Sequence, residues 1–357
     1  MKHNIVLTGG GTAGHVMPNI ALIPDLKKDF EIHYIGTYDG MEHWLVDPYL
    51  KPTNYHTIKA GKLRRYLSWQ NIKDPIKVVY GFFQSIKILI KLKPKVVFSK
   101  GGYVTVPVVF AAKLLGIPAV LHESDITPGL ANKVAIPRCD KVCVSFEPTL
   151  AHIKKKEAVY TGTPVRKELF SGSKEAGKAL CGFKDDKPVL LIMCGSQGAV
   201  AVNDAVDEAL TALLNTFNIV HLRGQNNLKP EFDQLKGYKA FGFVEEDLKH
   251  LFALSDIVLS RAGANAIFEL LALNLPALLI PLPRSASRGD QILNAEHFFA
   301  HGWSDVLYQE DLTPDTLISH INQLYINRQN YKTEMEKAHA SQASERIIAA
   351  IKSVIKK

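Results

Sequence analysis

Cysteine is scarce: four residues in 357, at positions 139, 143, 181 and 194. None forms a CxxC pair or stands beside a histidine pair, so neither a zinc framework nor a disulfide framework is expected. All four read as reduced, mostly buried thiols. Long hydrophobic runs are missing too. The uncharged stretch 270–283 is shorter than the roughly 20 apolar residues of a spanning helix, and prolines interrupt it. Behind Lys2 a short apolar strand gives way at once to glycines, where a secretory signal needs a longer apolar stretch, so no export is expected. Acidic residues are in deficit, 35 against 43 basic ones. The net charge of +8 favours an anionic partner: nucleic acid, a phosphorylated substrate or an acidic membrane surface.

What is present is ample core material, with 46% hydrophobic and 22% charged residues, in a chain long enough for two domains facing a cleft. Apolar runs "NIVLT", "EIHYIG", "KVVFSK", "PAVLHE" and "KVCVSF", then "PVLLIMC", "NIVHLR", "DIVLS" and "PALLIPL", alternate with helix-period segments. That alternation predicts an α/β fold with parallel sheets covered by helices on both faces. The series starts twice, at "LTGGGTAGH" (7–15) and "IMCGSQGA" (192–199), each a strand, a glycine turn and a helix that could open a Rossmann-like doubly wound half. The turn-rich "YTGTPVRKELFSGSKEAG" (160–177) sets the boundary near Thr163, giving domains 1–163 and 164–340. Residues 330–357 lack Pro and Gly and read as helix; the part from about 341 is a candidate to pack back on the first domain.

Gly9, Gly11 and Gly14 satisfy GxGxxG, so backbone N–H groups there could meet an anion at a helix N-terminus. A nicotinamide enzyme would also need an acid near the end of the second strand, and "HYIGT" (33–37) has none. A tight turn without a ligand explains the glycines equally well. In the second half, Ser196, Gln197 and Gly198 start another helix with small residues and a hydroxyl able to approach a diphosphate. "RAGANAIFELLALNLPALLIPLP" (261–283) adds a turn and a helix carrying Glu269, which either faces a ribose diol or is an ordinary exposed helix glutamate. Asp290, Gln291 and Asn294 follow at a further helix start, where capping accounts for Asp290 as well as a ligand does.

Taken in order, "GGTAGHVMPNIA", "KGGYVTVPVVFAAKLLGIPAVLHESDITPGLANK", "TGTPVR", "CGSQGA", "RAGANAIFELLALNLPALLIPLP" and "DQILNAEHF" resemble the motifs of the MurG family, in glycosyltransferase family 28. These are the UDP-N-acetylglucosamine:undecaprenyl-pyrophosphoryl-N-acetylmuramoyl-pentapeptide N-acetylglucosaminyltransferases of peptidoglycan synthesis. The resemblance implies a GT-B fold, the acceptor chiefly on the first Rossmann-like domain and UDP-GlcNAc chiefly on the second. It places uridine near Val244 and the turn Ala264, Asn265 and Ala266, with Glu269 on the ribose hydroxyls. Arg166, Ser196, Gln197 and Gln291 would meet the diphosphate or sugar, and Thr12, Ala13 and Gly14 would close from the first domain. Two positions depart from the pattern. "HESD" stands where the family often reads "HEQN", so Asp125 replaces an amide that touches the donor sugar; a carboxylate accepts hydrogen bonds but cannot donate when ionised. Ala13 replaces a common glycine.

The implied reaction inverts the anomeric carbon: the C4 hydroxyl of the lipid-linked muramoyl sugar attacks UDP-GlcNAc, giving lipid II and UDP. The hydroxyl must lose a proton and the leaving diphosphate must be stabilised, for which helix N-termini and Arg166 serve. No bound metal or other cofactor is expected. His15, with an ordinary pKa of about 6.5, is the candidate general base. It could instead hydrogen-bond the donor or hold the turn, and Asp125 and Glu123 are rivals for the base role. For the membrane, "NIKDPIKVVYGFFQSIKILIKLKPK" (71–95) sets Lys73, Lys77, Lys87 and Lys91 on one helix face and Val79, Phe82, Ile86 and Leu89 opposite, the latter reading as core-packed. "KLRRYLSW" (62–69) adds Arg64, Arg65, Tyr66, Leu67 and Trp69, side chains suited to an anionic membrane surface; no nucleic-acid module accompanies them. The expected place is the cytoplasmic face of the membrane, peripherally. Two rivals fit parts of the same pattern: a diacylglycerol glycosyltransferase of the same fold, and a non-catalytic nucleotide-sugar-binding protein.

Overall fold

The computed structural model describes residues 2–61, 70–153, 157–195, 198–232 and 234–355. They form two compact units, Met1–Val165 with Gln342–Lys357, and Arg166–Ser341.

Among the described residues the first unit holds seven parallel strands: β1 (His3–Thr8), β2 (Phe30–Gly36), β3 (Tyr55–Thr57), β4 (Val96–Ser99), β5 (Ala119–Glu123), β6 (Lys141–Val144) and β7 (Glu157–Tyr160). Their order is β3-β2-β1-β4-β5-β6-β7. Strand residues alternate between two buried layers, as a doubly covered sheet requires. Ile5, Leu7, Val96 and Phe98 pack with Ile20 and Ile23 of the helix Met17–Asp29 and with Ile347 and Ile351 of the helix Ala343–Ser353. Val6, Val97 and Leu121 pack on the other face, with Leu89 of the helix Gln70–Leu92 and Val108 of the helix Thr105–Leu114.

The second unit has six parallel strands among the described residues: β8 (Val189–Met193), β9 (Asn218–Leu222), β10 (Tyr238–Phe241), β11 (Ile257–Ser260), β12 (Ala277–Leu279) and β13 (Ser304–Val306), in the order β10-β9-β8-β11-β12-β13. Leu190, Ile192, Ile257 and Leu259 meet Val202, Val206 and Leu210 of the helix Val200–Thr216, together with Leu317 and Ile321 of the helix Pro314–Glu336.

Two sequence expectations are corrected. Residues 330–357 are not one helix. The helix Pro314–Glu336 ends, His339 turns into the left-handed region at φ 47°, and after the turn Ala340–Gln342 a separate helix begins at Ala343. The two helices bury their apolar faces in different cores, so each needs its own direction. Val79 does not share the core side of its helix. Leu89 is buried and Phe82 and Ile86 pack against the core, but Val79 is 56% exposed in a row with Ile76, Tyr80, Phe83 and Ile90. At 100° per residue this row lies opposite Ser85 and Leu89. The core side is fixed by Gly81, where a Cβ would fall 1.9 Å from the Lys59 carbonyl oxygen.

Candidate functional site

In the first unit β1 runs through three glycines into a single turn, Ala13–His15, and then the helix Met17–Asp29. Thr12, Ala13 and Gly14 are exposed. Beside this turn rises a second one, at Gly101 and Gly102 beyond β4. A side chain at Gly102 would begin 2.2 Å from the Gly10 carbonyl oxygen and 3.0 Å from the His15 ring, and Gly102 itself adopts φ +86°. His15 is thus partly buried against two glycine turns at the carboxyl ends of neighbouring strands, where open α/β sheets bind ligands.

A carboxylate missing from the expected place on β2 arrives six residues after the strand. Glu42 is 0% exposed; its Oε1 accepts from the Thr37 N–H at 2.9 Å and the Thr37 hydroxyl at 2.6 Å, and its Oε2 accepts from the Gly11 N–H at 3.3 Å. It therefore serves the glycine turn rather than a ribose. Its one advance signal is Gly40, where a Cβ would lie 2.2 Å from Oε1. Tyr34 holds the same turn by donating to the Gly9 carbonyl at 2.7 Å.

At the end of β5, Glu123 is 2% exposed and receives four donors: the Ser124 and Asp125 N–H groups at 2.7 and 3.0 Å, the Gly129 N–H at 3.1 Å, and the Asn132 amide at 2.8 Å. Both oxygens are occupied in shaping loop 124–129, which turns this rival for the base role into a loop staple. Asp125 is partly exposed on that loop, and its carbonyl accepts from the Thr149 hydroxyl at 3.2 Å. His122 is fully buried and donates through Nε2 to the Gly162 carbonyl at 2.9 Å; burial, then the charge of Lys100, keep it neutral by pushing its pKa well below the usual value.

In the second unit a pocket of about 430 Å³ opens at the carboxyl ends of β8 and β11. Gly195, Gly198, Arg261, Gly263, Ala266 and Gln291 line it. Ser196 and Gln197 lie outside the described residues. The helix Ala264–Ala272 begins at the pocket, so Ala264, Asn265 and Ala266 form its first turn, where N–H groups lack intrahelical partners. Gln291 accepts from the Leu282 N–H at 3.1 Å and so fixes the opposite wall. Arg261 donates to the Ile280 and Pro281 carbonyls at 3.1 and 3.3 Å and to the Gln309 amide oxygen at 2.7 Å. Sequence reasoning passed over this cation, although it stands two residues before Gly263 of the glycine-alanine turn. Behind the pocket, Gly198 is required by φ +75° and by the Arg223 carbonyl, 1.9 Å from where a Cβ would stand. Arg223 is in turn locked by a fork to Asp207, at 2.5 and 2.8 Å.

Arg166 and Glu269, assigned to diphosphate and ribose, meet as a partly buried ion pair at 3.5 Å. Burial raises the Glu269 pKa and the guanidinium opposes that rise. Val244 is partly buried in the loop after β10. Asp290 pairs with Arg288 at 2.5 Å instead of capping its helix, whose cap position is Gly289. Among the described residues there is no group of three or more His, Cys, Asp or Glu placed to hold a metal ion. All four cysteines are buried and free, and burial pushes the Cys143 thiol up to about 12.

Residues 5–144 match the glycosyltransferase family 28 N-terminal domain and residues 189–351 the C-terminal domain. A protein of Lachnoclostridium phytofermentans is 53% identical over 98% of both chains, and one of Geobacillus thermodenitrificans is 50% identical over 99% of both. Both are named UDP-N-acetylglucosamine--N-acetylmuramyl-(pentapeptide) pyrophosphoryl-undecaprenol N-acetylglucosamine transferase. The crystal structure of Acinetobacter baumannii MurG matches with a TM-score of 0.74 at 26% identity, over 99% of this chain and 100% of that one. A Neisseria meningitidis UDP-GlcNAc 2-epimerase shares the fold at TM-score 0.70 and 17% identity, over 98% of this chain and 99% of its own. On these grounds the chain belongs to glycosyltransferase family 28 and, within it, to the MurG family of N-acetylglucosaminyltransferases.

Proposed function

We propose that the protein transfers GlcNAc from UDP-GlcNAc to the C4 hydroxyl of undecaprenyl-diphospho-N-acetylmuramoyl-pentapeptide, forming lipid II and UDP with inversion. The observation that carries this reading is the second-unit pocket, which joins a helix N-terminus, the small residues Gly195 and Gly198, and the Arg261 cation, a set suited to a nucleotide diphosphate. Arg166 and Glu269 then contact the donor's diphosphate and ribose. Attack requires the acceptor hydroxyl to surrender its proton as the new bond forms. His15 takes that role: it is partly buried at the strand ends, and an imidazole suits proton transfer near neutral pH. Asp125 orients a sugar hydroxyl by accepting its hydrogen bond. Helix dipoles and arginines stabilise the departing UDP, and the chemistry calls for no resident metal.

The acceptor's lipid tail stays in a bilayer, so the enzyme works at the cytoplasmic membrane face. Ile76, Val79, Tyr80, Phe83 and Ile90 support that reading: all are more than half exposed in one row along the helix Gln70–Leu92, with exposed Lys77, Lys87 and Lys91 beside them. An apolar row flanked by lysines suits an anionic interface. Residues 62–69 and the side chain of Lys73 lie outside the described residues. Among those described, no helix is long and apolar enough to cross a membrane.

The deciding experiment is UDP release with UDP-GlcNAc and a short-chain lipid-linked muramoyl-pentapeptide, comparing wild type with His15→Ala. Acceptor-dependent release in wild type, lost in the variant while UDP-GlcNAc still binds, is the expected outcome. Tight binding without turnover in wild type would overturn the transferase reading in favour of a binding protein.

A further inference from the structure

A fully buried ammonium stands at the end of β4. Lys100 is 0% exposed and donates through Nζ to the Ser124 hydroxyl on the neighbouring loop; it forms no ion pair among the described residues. Burying such a charge costs several kcal/mol unless opposite charge lies near enough to offset it. The groups that face it electrostatically are Glu123 and Asp125, with His122, which it helps keep neutral. Glu123, the stronger of the two influences, is held in place by four neutral donors of the loop and keeps its charge beside the ammonium. Asp125 follows Ser124 directly, is partly exposed, and belongs to the loop that the ammonium grips. Both substrates of the proposed transfer carry a diphosphate, and a carboxylate turned toward them would repel it.

We propose that Lys100 is a positioning residue for the transfer: through Ser124 it fixes loop 124–129, and its buried charge offsets the carboxylates of Glu123 and Asp125 so that the loop can serve anionic substrates. This rests on the GlcNAc-transfer reading above. Burial lowers the Lys100 pKa to about 8, against the pull of the two carboxylates, so the countercharge is present at neutral pH and fades in mild alkali. Lys100→Met keeps the volume and removes the charge, whereas Asp125→Asn removes the more exposed of the two charges that it offsets.

The test is a double-mutant cycle on kcat/KM for UDP-GlcNAc at saturating acceptor, between pH 6.5 and 9.5. Lys100→Met should lose about tenfold, mainly through KM, and the double variant should recover part of the loss. In wild type kcat/KM should fall above about pH 8, and Asp125→Asn should flatten that limb. Additive losses, or a Lys100→Met variant equal to wild type, overturn the proposal. If Lys100→Met fails to fold, the pH profile decides: an alkaline limb unchanged in Asp125→Asn, or no such limb in wild type, overturns it. Wild type that releases no UDP with acceptor sinks the transfer reading itself, a different result from a cycle that fails to couple.

Discussion

Arg166 and Glu269, 103 positions apart in the chain, form one partly buried pair in the second unit, 3.5 Å between Nη2 and Oε1. Two groups of opposite charge, each suited to part of a nucleotide, thus hold one another in place. Glu269→Ala is expected to weaken UDP-GlcNAc binding by tenfold or more while leaving kcat at saturating donor within a fewfold of wild type. Titration calorimetry with UDP checks this; unchanged affinity for UDP would remove Glu269 from the ribose.

Glu42 is the buried keystone of the first glycine turn. Glu42→Ala leaves the Thr37 N–H, the Thr37 hydroxyl and the Gly11 N–H without their carboxylate and should cost roughly 2–4 kcal/mol of stability. Activity should fall with it, because the turn carries Thr12 to His15. Urea unfolding gives the first quantity and UDP release the second. A variant as stable as wild type would mean that the turn does not depend on the carboxylate.

Acidification should destabilise the fold through buried and half-buried histidines. Burial is the main cause that lowers the pKa of His56 and His297 to about 4 and of His221 to about 3. Each binds its proton more weakly folded than unfolded, where the value is 6.5, so the unfolded chain takes up protons first. The stability these groups contribute is fully present above about pH 6.5 and is lost as pH falls toward 4. After solvent screening the half-buried His56 accounts for on the order of 1 kcal/mol. Denaturant midpoints between pH 7.5 and 4.5 should drop, and His56→Asn should make the slope shallower; an identical slope would assign the loss to other groups.

Phe83 is 63% exposed and Ile76 68%, one above the other on the helix Gln70–Leu92. Replacing both by serine should reduce sedimentation with anionic phospholipid vesicles severalfold and leave UDP affinity and thermal stability unchanged. Vesicle binding equal to wild type would move the membrane contact elsewhere.

Alternation of apolar runs with helix-period segments is a local property, and it sufficed for the two parallel sheets and for nine of the thirteen strands among the described residues. The four it passed over, β3, β7, β10 and β13, hold three or four residues each and lie at sheet edges, where half the pairing is missing and no apolar run is required. The glycine turns were legible for a related reason: a strand that must turn at once into a helix needs glycine whatever surrounds it.

Other features depended on approach between distant segments. Val79 has the same chemistry as the core residues on its helix, but the close fit of Gly81 against the Lys59 carbonyl and the packing of Phe82, Ile86 and Leu89 leave it facing outward. Glu123 and Asp125, two residues apart, read alike as acids, yet four converging donors make the first a loop staple and leave the second partly exposed. Glu42 and Lys100 gave no periodic signal, because a buried charge is explained by its partners and those lie elsewhere in the chain. Residue order therefore determined the elements, the turns and the family, which depend on neighbours along the chain. Tertiary structure decided which charges are buried, paired or offered to a ligand, since electrostatic and packing energies depend on distance in space.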